Sequence, residues 1–330
     1  MAHSITFSEA TLEAMREEMR RDPTVFLMGE DIAKQGGIFG QFKGLPQEFG
    51  FERVRDTPIS EAALVGAGVG AALTGTRPVV DMHFADFITC SMDELVNQAA
   101  KLRYMFGEQC SVPMTLRAPD GITKSAAAQH SQSLEAWFVH TPGLEVVVPA
   151  NARDAKGLLK SAIRSDNPTL YFEHKTLFTQ KGEVPDDDDF TIPLGKAETV
   201  REGRDAAIIT YGITVGRALE AADKLAREEN IEVRVVNLRT LWPLDYDAIA
   251  DAVAATHRVL VAHEAVRVGG LGGEIAAFIG EHCFDDLDAP VLRLGAAHVP
   301  VPFSPGLQDA MFPKAPAIAN AVLDLVRNRR

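Results

Sequence analysis

Short apolar runs alternate along this chain with segments whose apolar positions recur every three to four residues. The runs Thr24-Val25-Phe26-Leu27-Met28, Pro78-Val79-Val80-Asp81-Met82, Pro113-Met114-Thr115-Leu116, Leu144-Glu145-Val146-Val147-Val148 and Thr169-Leu170-Tyr171-Phe172 predict strands. Between them Ser8 to Arg21, Ser60 to Leu73, Ser91 to Met105 and Asn151 to Ser165 predict helices. In the last of these Asn151 stands as N-cap, and Ala155, Leu158, Leu159, Ala162 and Ile163 fall at helical spacing. Strands that alternate with helices in this way predict a parallel sheet covered on both faces.

The alternation breaks between Lys181 and Asp189, where Gly182, Pro185 and the acidic run Asp186-Asp187-Asp188-Asp189 predict a solvated linker. It then resumes. Strands are predicted at Ala206-Ala207-Ile208-Ile209-Thr210-Tyr211, Val233-Arg234-Val235-Val236, Val259-Leu260-Val261-Ala262 and Val291-Leu292-Arg293-Leu294. Helices are predicted near Val215 to Glu229, Tyr246 to Ala255, Gly272 to Cys283 and Ala315 to Arg327. The expected organisation is an α/β domain over 1–185, an acidic linker over 186–203 and a smaller α/β domain over 204–330, which suits a chain of 330 residues.

Composition narrows the function classes. A chain 46% hydrophobic and 24% charged has the make-up of an ordinary globular protein. Its formal net charge of −13 argues against nucleic acid or an anionic membrane as partner, since both are polyanions. Cys90, Cys110 and Cys283 lie far apart, which favours a reducing compartment and offers no zinc ligand set. The opening Met1-Ala2-His3-Ser4 leads directly into Thr6-Phe7-Ser8 without a charged-then-apolar leader, and there is no apolar run of membrane-spanning length. The expected location is cytoplasmic.

The strongest chemical signal is Glu61, in Asp56-Thr57-Pro58-Ile59-Ser60-Glu61, because every residue from Ala62 to Leu73 is small or apolar. Such surroundings predict a sequestered carboxylate, and a sequestered acid can share a proton with a ligand nitrogen near neutral pH. The plainer reading makes Ser60 an N-cap and Glu61 a first-turn acid favoured by the helix dipole. Three glycines weigh against that alone. Gly66, Gly68 and Gly70 each cost a helix interior about 1 kcal/mol relative to alanine, which points to close approach of another backbone or of a ligand.

His130, in Ala126-Ala127-Ala128-Gln129-His130-Ser131-Gln132-Ser133, reads either as a site residue on a loop or as a hydrogen-bonded structural histidine. Gly269-Gly270-Leu271-Gly272-Gly273 lacks the spacing of a dinucleotide fingerprint and reads as a close-packed helix entry. Asp93 and Glu94 face either a site or solvent. No phosphate loop of the Walker type, Gly-x-Ser-x-Gly elbow or His-Glu-x-x-His helix is present.

Taken together, Gly29-Glu30-Asp31, Thr57-Pro58-Ile59-Ser60-Glu61, Gln129-His130-Ser131-Gln132 and Asp154-Ala155-Lys156-Gly157-Leu158 resemble one family. It is the beta subunit of the thiamine-diphosphate-dependent dehydrogenase component of 2-oxo acid dehydrogenase complexes, of the pyruvate, acetoin and branched-chain types, in the transketolase-like superfamily. The resemblance runs on through Leu238-Arg239-Thr240-Leu241-Trp242-Pro243-Leu244-Asp245. It implies a parallel-sheet, pyrimidine-type thiamine-diphosphate domain followed by a smaller transketolase C-terminal domain that serves assembly.

The resemblance also implies roles. Glu61 would hydrogen-bond the pyrimidine nitrogen of thiamine diphosphate and favour the tautomer that activates the cofactor. His130 would stand near the reacting centre, orienting substrate or handling a proton during transfer to a lipoyl group. His83 and Phe87 would line the pyrimidine pocket, and Glu30, with Asp93, would belong to an acidic link between paired sites. Mainly main-chain carbonyls of Met114, Ala162, Ile163 and Asn167, with Ser165 contributing, would hold a structural potassium ion.

The family's magnesium segment, Gly-Asp-Gly with a downstream asparagine, is absent from this sequence. A separate alpha subunit would then hold Mg²⁺ and the diphosphate, in a heterotetramer of paired alpha and beta chains. Further partners would be a dihydrolipoamide acyltransferase core with its lipoyl domain, and a small 2-oxo acid or acetoin as substrate. Ala126 to His130 and Glu173-His174-Lys175 lean towards pyruvate and acetoin. A branched-chain substrate, a non-catalytic scaffold and a nicotinamide-dependent dehydrogenase are the alternatives. The last would need a glycine fingerprint after the first strand, which Gly36-Gly37 does not supply.

Overall fold

The computed structural model describes residues 2–327. Two compact units divide the chain: residues up to Asp120 with Trp137–Leu194, and Gly121–Ala136 with the residues from Gly195 onward.

In chain order the first unit comprises β1 (Ala2–Thr6), α1 (Phe7–Arg21), β2 (Val25–Gly29), α2 (Leu45–Phe49), β3 (Val54–Asp56), α3 (Glu61–Leu73), β4 (Arg77–Asp81), α4 (Ala100–Met105) and β5 (Thr115–Asp120). After a short helix, α5 (Glu135–Val139), it continues with β6 (Glu145–Val147), α6 (Ala152–Arg164), β7 (Thr169–His174) and β8 (Lys181–Pro185). Its main strands lie in the order β6-β7-β5-β4-β2-β3, all parallel. β1 and β8 form a separate antiparallel pair. Both are partly exposed and carry mixed residues, so neither announces itself as an apolar run.

Local chemistry explains the helices of this unit. A capping box between Thr6 and Glu9 starts α1. Its buried positions Phe7, Ala10, Thr11, Ala14, Met15, Glu18 and Met19 make one stripe, which packs along α6. Lys156 and Lys160 of α6 are fully buried, with ammonium groups 2.8 Å and 2.6 Å from Glu17. The expected helix over Ser91 to Met105 begins instead with a π-helical stretch, Asp93–Ala99, before α4. The four aspartates 186–189 are exposed as expected of a solvated run. Beyond them Ile192 packs back on α6, close to Gly157.

The second unit holds β9 (Glu198–Arg201), β10 (Ala206–Thr210), α7 (Ile213–Glu229), β11 (Val233–Asn237), β12 (Thr240–Trp242), α8 (Tyr246–Thr256), β13 (Val259–Val266), α9 (Gly272–His282), β14 (Leu292–Ala296), α10 (Pro305–Met311) and α11 (Ala315–Arg327). Its sheet has the order β14-β13-β10-β11-β9, parallel apart from β9, which runs antiparallel to β11. Ile208, Val233, Val235, Leu260 and Ala262 of the sheet meet Ala218, Leu225, Ile318 and Val322 of α7 and α11 in one core. The glycine-rich segment before α9 is a close-packed entry. Side chains on Gly270 or Gly272 would each come within 2.8 Å of the buried His263 ring. Among the described residues, no helix is long and apolar enough to cross a membrane.

Candidate active site

Three adjacent parallel strands, β3, β2 and β4, end on one edge of the first unit, and the residues after their C-termini converge there. This is where open parallel sheets place ligands. Glu30 follows β2, Glu61 follows β3, and His83 and Phe87 follow β4. The Thr57 amide donates to the Gly29 carbonyl at 2.9 Å, which ties the loop before Glu61 to the strand end before Glu30. Gly29 itself must lack a side chain, since a Cβ there would lie 2.7 Å from the Asp81 carbonyl oxygen.

Glu30 is the buried acid of the group, at 4% exposure. Its Oε2 lies 3.1 Å from His83 Nδ1, while His83 Nε2 lies 2.9 Å from the Glu30 carbonyl oxygen. The imidazole thus grips Glu30 by both side chain and backbone, which accounts for a histidine at this position. Oε1 of Glu30 has no hydrogen-bond partner among the described residues. Burial pushes the Glu30 carboxyl above its ordinary value; His83 opposes this, and the charges of Glu61, Asp31 and Asp81 add to it.

Glu61 opens α3 and is half-buried, not sequestered as its apolar neighbours suggested. The reason lies in the helix itself. The residues leading into it lie at the surface, with Ile59 77% exposed, and Ser60 occupies the N-cap position without a side-chain cap bond. Burial follows the stripe Leu64, Val65, Gly68, Val69 and Ala72, and Glu61 stands at the end of that stripe. Gly68 supplies the close approach inferred from the glycines, because a Cβ there would lie 2.5 Å from Val80 Cγ2 and 3.0 Å from Met114 Sδ. Gly70 has open space beside it. Phe87 is half-buried and meets Phe84 edge-on at 6.0 Å, and Phe84 meets Phe39 edge-on at 5.9 Å. These rings make an aromatic wall. Asp93 is exposed and accepts from Asn97 Nδ2 at 2.7 Å.

Beneath the acids lies a charged cluster that the sequence did not reveal. Arg117, 1% exposed, donates to Asp81 Oδ1 at 2.5 Å and also to Glu173. Thr11 Oγ1 donates to Glu173 Oε1 at 2.5 Å, and the guanidinium lies over the Phe42 ring at 5.1 Å. Burial raises the Asp81 carboxyl, with Arg117 opposing. Glu173 is therefore part of a buried ion cluster, which explains its presence without a role in substrate choice. The only sequence signal was a charged residue within one apolar strand run, Asp81, or directly after one, Arg117 and Glu173, and nothing in the runs paired them.

His130 belongs to the second unit, on the loop segment Gly121–Ala136, and is half-buried. Its neighbours Gln129 and Ser131 line a cavity of about 480 Å³ with Glu264, Val266, Met311 and Phe312.

The residues suggested for potassium gather at the opposite, N-terminal strand ends, where α6 leads into β7 beside the start of β5. Each of their carbonyls already accepts a hydrogen bond. Thr169 N donates to Met114 O at 2.9 Å and Ser165 N to Ala162 O at 3.2 Å. Arg77 donates to Ile163 O at 3.2 Å and Ser165 O at 2.8 Å, and Thr169 Oγ1 to Asn167 O at 3.3 Å. The Ser165 and Asn167 side chains donate to the Glu145 carboxylate. A guanidinium already supplies positive charge at two of these carbonyls, Ile163 and Ser165, where a potassium ion would have to displace it.

Residues 3–181 match the transketolase pyrimidine-binding domain, and residues 195–318 match the transketolase C-terminal domain. The chain is 47% identical to the acetoin:2,6-dichlorophenolindophenol oxidoreductase subunit beta of Bacillus subtilis, over 99% of this chain and 98% of that one. It is 46% identical to the 2-oxoisovalerate dehydrogenase subunit beta of the same organism, over 92% and 93%. It is 42% identical to the pyruvate dehydrogenase E1 component subunit beta of Rhizobium meliloti, over 97% of this chain and 69% of that one. A solved split-gene transketolase, an inactive beta4 tetramer, shares the fold with a TM-score of 0.80 at 24% identity over 99% of both chains. The chain belongs to the transketolase family, and within it to the group of dehydrogenase beta subunits.

Proposed function

We propose that this chain is the catalytic beta subunit of a thiamine-diphosphate-dependent dehydrogenase acting on pyruvate or acetoin. One observation carries the reading: Glu30, Glu61, His83 and Phe87 converge at the strand ends of a pyrimidine-binding domain. The set suits an aminopyrimidine. Glu61 offers a carboxyl at a helix start, Phe87 an apolar ring, and Glu30 a buried oxygen without a partner among the described residues. Thiamine diphosphate, when bound, supplies the carbon nucleophile that cleaves the bond next to the substrate carbonyl.

The protein's own part is to hold and orient. Glu61 donates or accepts a proton at the pyrimidine nitrogen, and the Glu30–His83 pair keeps a second acid behind it. His130 orients substrate or carries a proton during acyl transfer to a lipoyl group. An alpha subunit completes the site with Mg²⁺ and the diphosphate contacts, in a heterotetramer of paired alpha and beta chains. The acyl group passes to the lipoyl domain of an acyltransferase core. The relatives' names, which call each a beta subunit and one of them an E1 component, support a companion subunit and further components. A cytoplasmic setting belongs to the same reading, with three unpaired cysteines as its support. Potassium has no part in it, because Arg77 already occupies two of the carbonyls concerned.

A branched-chain 2-oxo acid is the second reading, favoured by the 46% identity to a 2-oxoisovalerate dehydrogenase subunit. The test is turnover of the chain co-expressed with its alpha subunit, offered pyruvate, acetoin and 2-oxoisovalerate in parallel. The expected result is preference for one of the first two. Dominant turnover of 2-oxoisovalerate selects the second reading. A beta chain that turns over substrate with thiamine diphosphate and Mg²⁺ but without an alpha subunit defeats the shared-site model.

A further inference from the structure

The segment that carries His130 has almost no regular structure of its own. Between Gly121 and Leu134 it forms turns and bends only, closed on itself by the Gly121 amide donating to the Gln132 carbonyl at 3.1 Å. Ser125 and Ala127 both have a φ of 57°, a left-handed conformation uncommon for residues with a side chain. Such a backbone persists when its surroundings determine it.

The surroundings that do so are specific side chains of the second unit. The Ile122 amide donates to Glu264 Oε1 at 2.9 Å. Gln308 makes two bonds: its Oε1 accepts from the Ser125 amide at 3.2 Å, and its Nε2 donates to the Thr123 carbonyl at 3.3 Å. At the far end of the segment Tyr211 donates to Glu135 Oε1 at 2.6 Å. These anchors are themselves fixed. Glu264 and Gln308 are each 4% exposed, and Glu264 Oε2 lies 2.8 Å from Arg217 of α7. The same Arg217 donates to the Pro313 carbonyl at 3.2 Å. The chain of contacts therefore runs from α7 through Glu264 to one side of the loop, and from α10 through Gln308 to the turn that precedes His130.

A buried amide that bonds only main-chain groups of a loop has one mechanical effect, which is to set the path of that loop. We infer that Gln308 and Glu264 are positioning residues for His130, acting through the backbone of residues 122–125. The inference rests on the proposed role of His130. Misplacing a catalytic group by about 1 Å lowers turnover by up to about a hundredfold, so loosening this loop should reach kcat before it reaches KM.

The test is a double-mutant cycle in the complex with the alpha subunit, using the preferred substrate and free lipoamide as acceptor. Gln308→Ala is paired with His130→Ala, and folding of each variant is checked by thermal melting. Expected are a fall in kcat of about tenfold for Gln308→Ala with KM changed less than twofold, and no further fall when it is added to His130→Ala. Glu264→Gln keeps an acceptor for the Ile122 amide but loses the charge that pairs with Arg217, so kcat should fall while KM changes less than twofold, and an unchanged kcat would remove Glu264 from the positioning role. If Gln308→Ala leaves kcat unchanged, or if the two losses multiply, the positioning role is refuted while the role of His130 stands. If His130→Ala alone has full activity, the role of His130 and the inference built on it fall together. Should Gln308→Ala fail to fold, Gln308→Glu, which keeps the acceptor for the Ser125 amide and removes the donor to Thr123, is put through the same cycle.

Discussion

Gly68 is where the packing of α3 meets the placement of Glu61. Alanine in a helix interior is favoured over glycine by about 1 kcal/mol, so Gly68→Ala should stabilise α3 if nothing stood in the way. A methyl there would lie 2.5 Å from Val80 Cγ2, where apolar carbons prefer about 3.5–4.0 Å. The second neighbour, Met114 Sδ at 3.0 Å, can turn aside, but the branched Val80 side chain on β4 is stiff. The helix must therefore lift by roughly 1 Å, and overpacking of this kind costs about 1–3 kcal/mol. The net expectation is a loss of about 0–2 kcal/mol. Glu61 stands on the same helix face two turns earlier, so the lift carries it along and should lower turnover by ten- to a hundredfold, within the range of about 10² for such a displacement. Gly70→Ala is the control, since none of the described residues comes within 4 Å of a Cβ there. It should stabilise by up to about 1 kcal/mol with full activity. Urea unfolding of the chain and turnover of the complex measure the two effects. A Gly68→Ala protein as stable and as active as Gly70→Ala would refute the reasoning.

Three further outcomes are expected. His263 is buried and neutral, with its pKa held down to about 4 by burial, so the stability it leaves intact above pH 6.5 should be lost as pH falls towards 4. The size is about 3 kcal/mol at most, and urea midpoints from pH 7 to pH 4 should fall less for His263→Gln than for the parent chain. Glu30 has a raised carboxyl pKa, so its ionisation costs stability as pH rises past the ordinary value of 4.5. Glu30→Gln should therefore gain stability at pH 7 over the parent, with the gain vanishing near pH 4. Melting temperatures in KCl, NaCl and choline chloride at equal ionic strength should agree, because Arg77 already bonds the Ile163 and Ser165 carbonyls. A rise specific to potassium would show a bound cation instead.

The layered α/β organisation was legible because continuous apolar runs follow from strands buried on both faces, and helical stripes from burial on one. The runs around Val79, Leu116, Val147 and Leu170 are β4, β5, β6 and β7. Strands β1, β3, β8 and β9 were not legible, since they are short or partly polar and are held by pairing that no local window contains. At the site, Glu61 stood out through the small and apolar residues behind it. The burial expected of it failed because small residues pack α3 against β4 along its length and say nothing about its first turn. Glu30 emerged only through the family resemblance, although it is the more deeply buried acid. The Asp81–Arg117–Glu173 cluster escaped because its members lie on three separate strands, and sequence spacing does not encode contacts across a parallel sheet.

Decarboxylation by the Glu61→Gln chain, assembled with its alpha subunit and saturated with thiamine diphosphate and Mg²⁺, bears most directly on the proposed chemistry. An amide keeps the size and loses the exchangeable acid. Turnover should fall by at least about a hundredfold, a loss typical of removing a general acid–base group, while the complex assembles and melts as the parent does. Turnover within twofold of the parent would show that this carboxyl does not activate the cofactor.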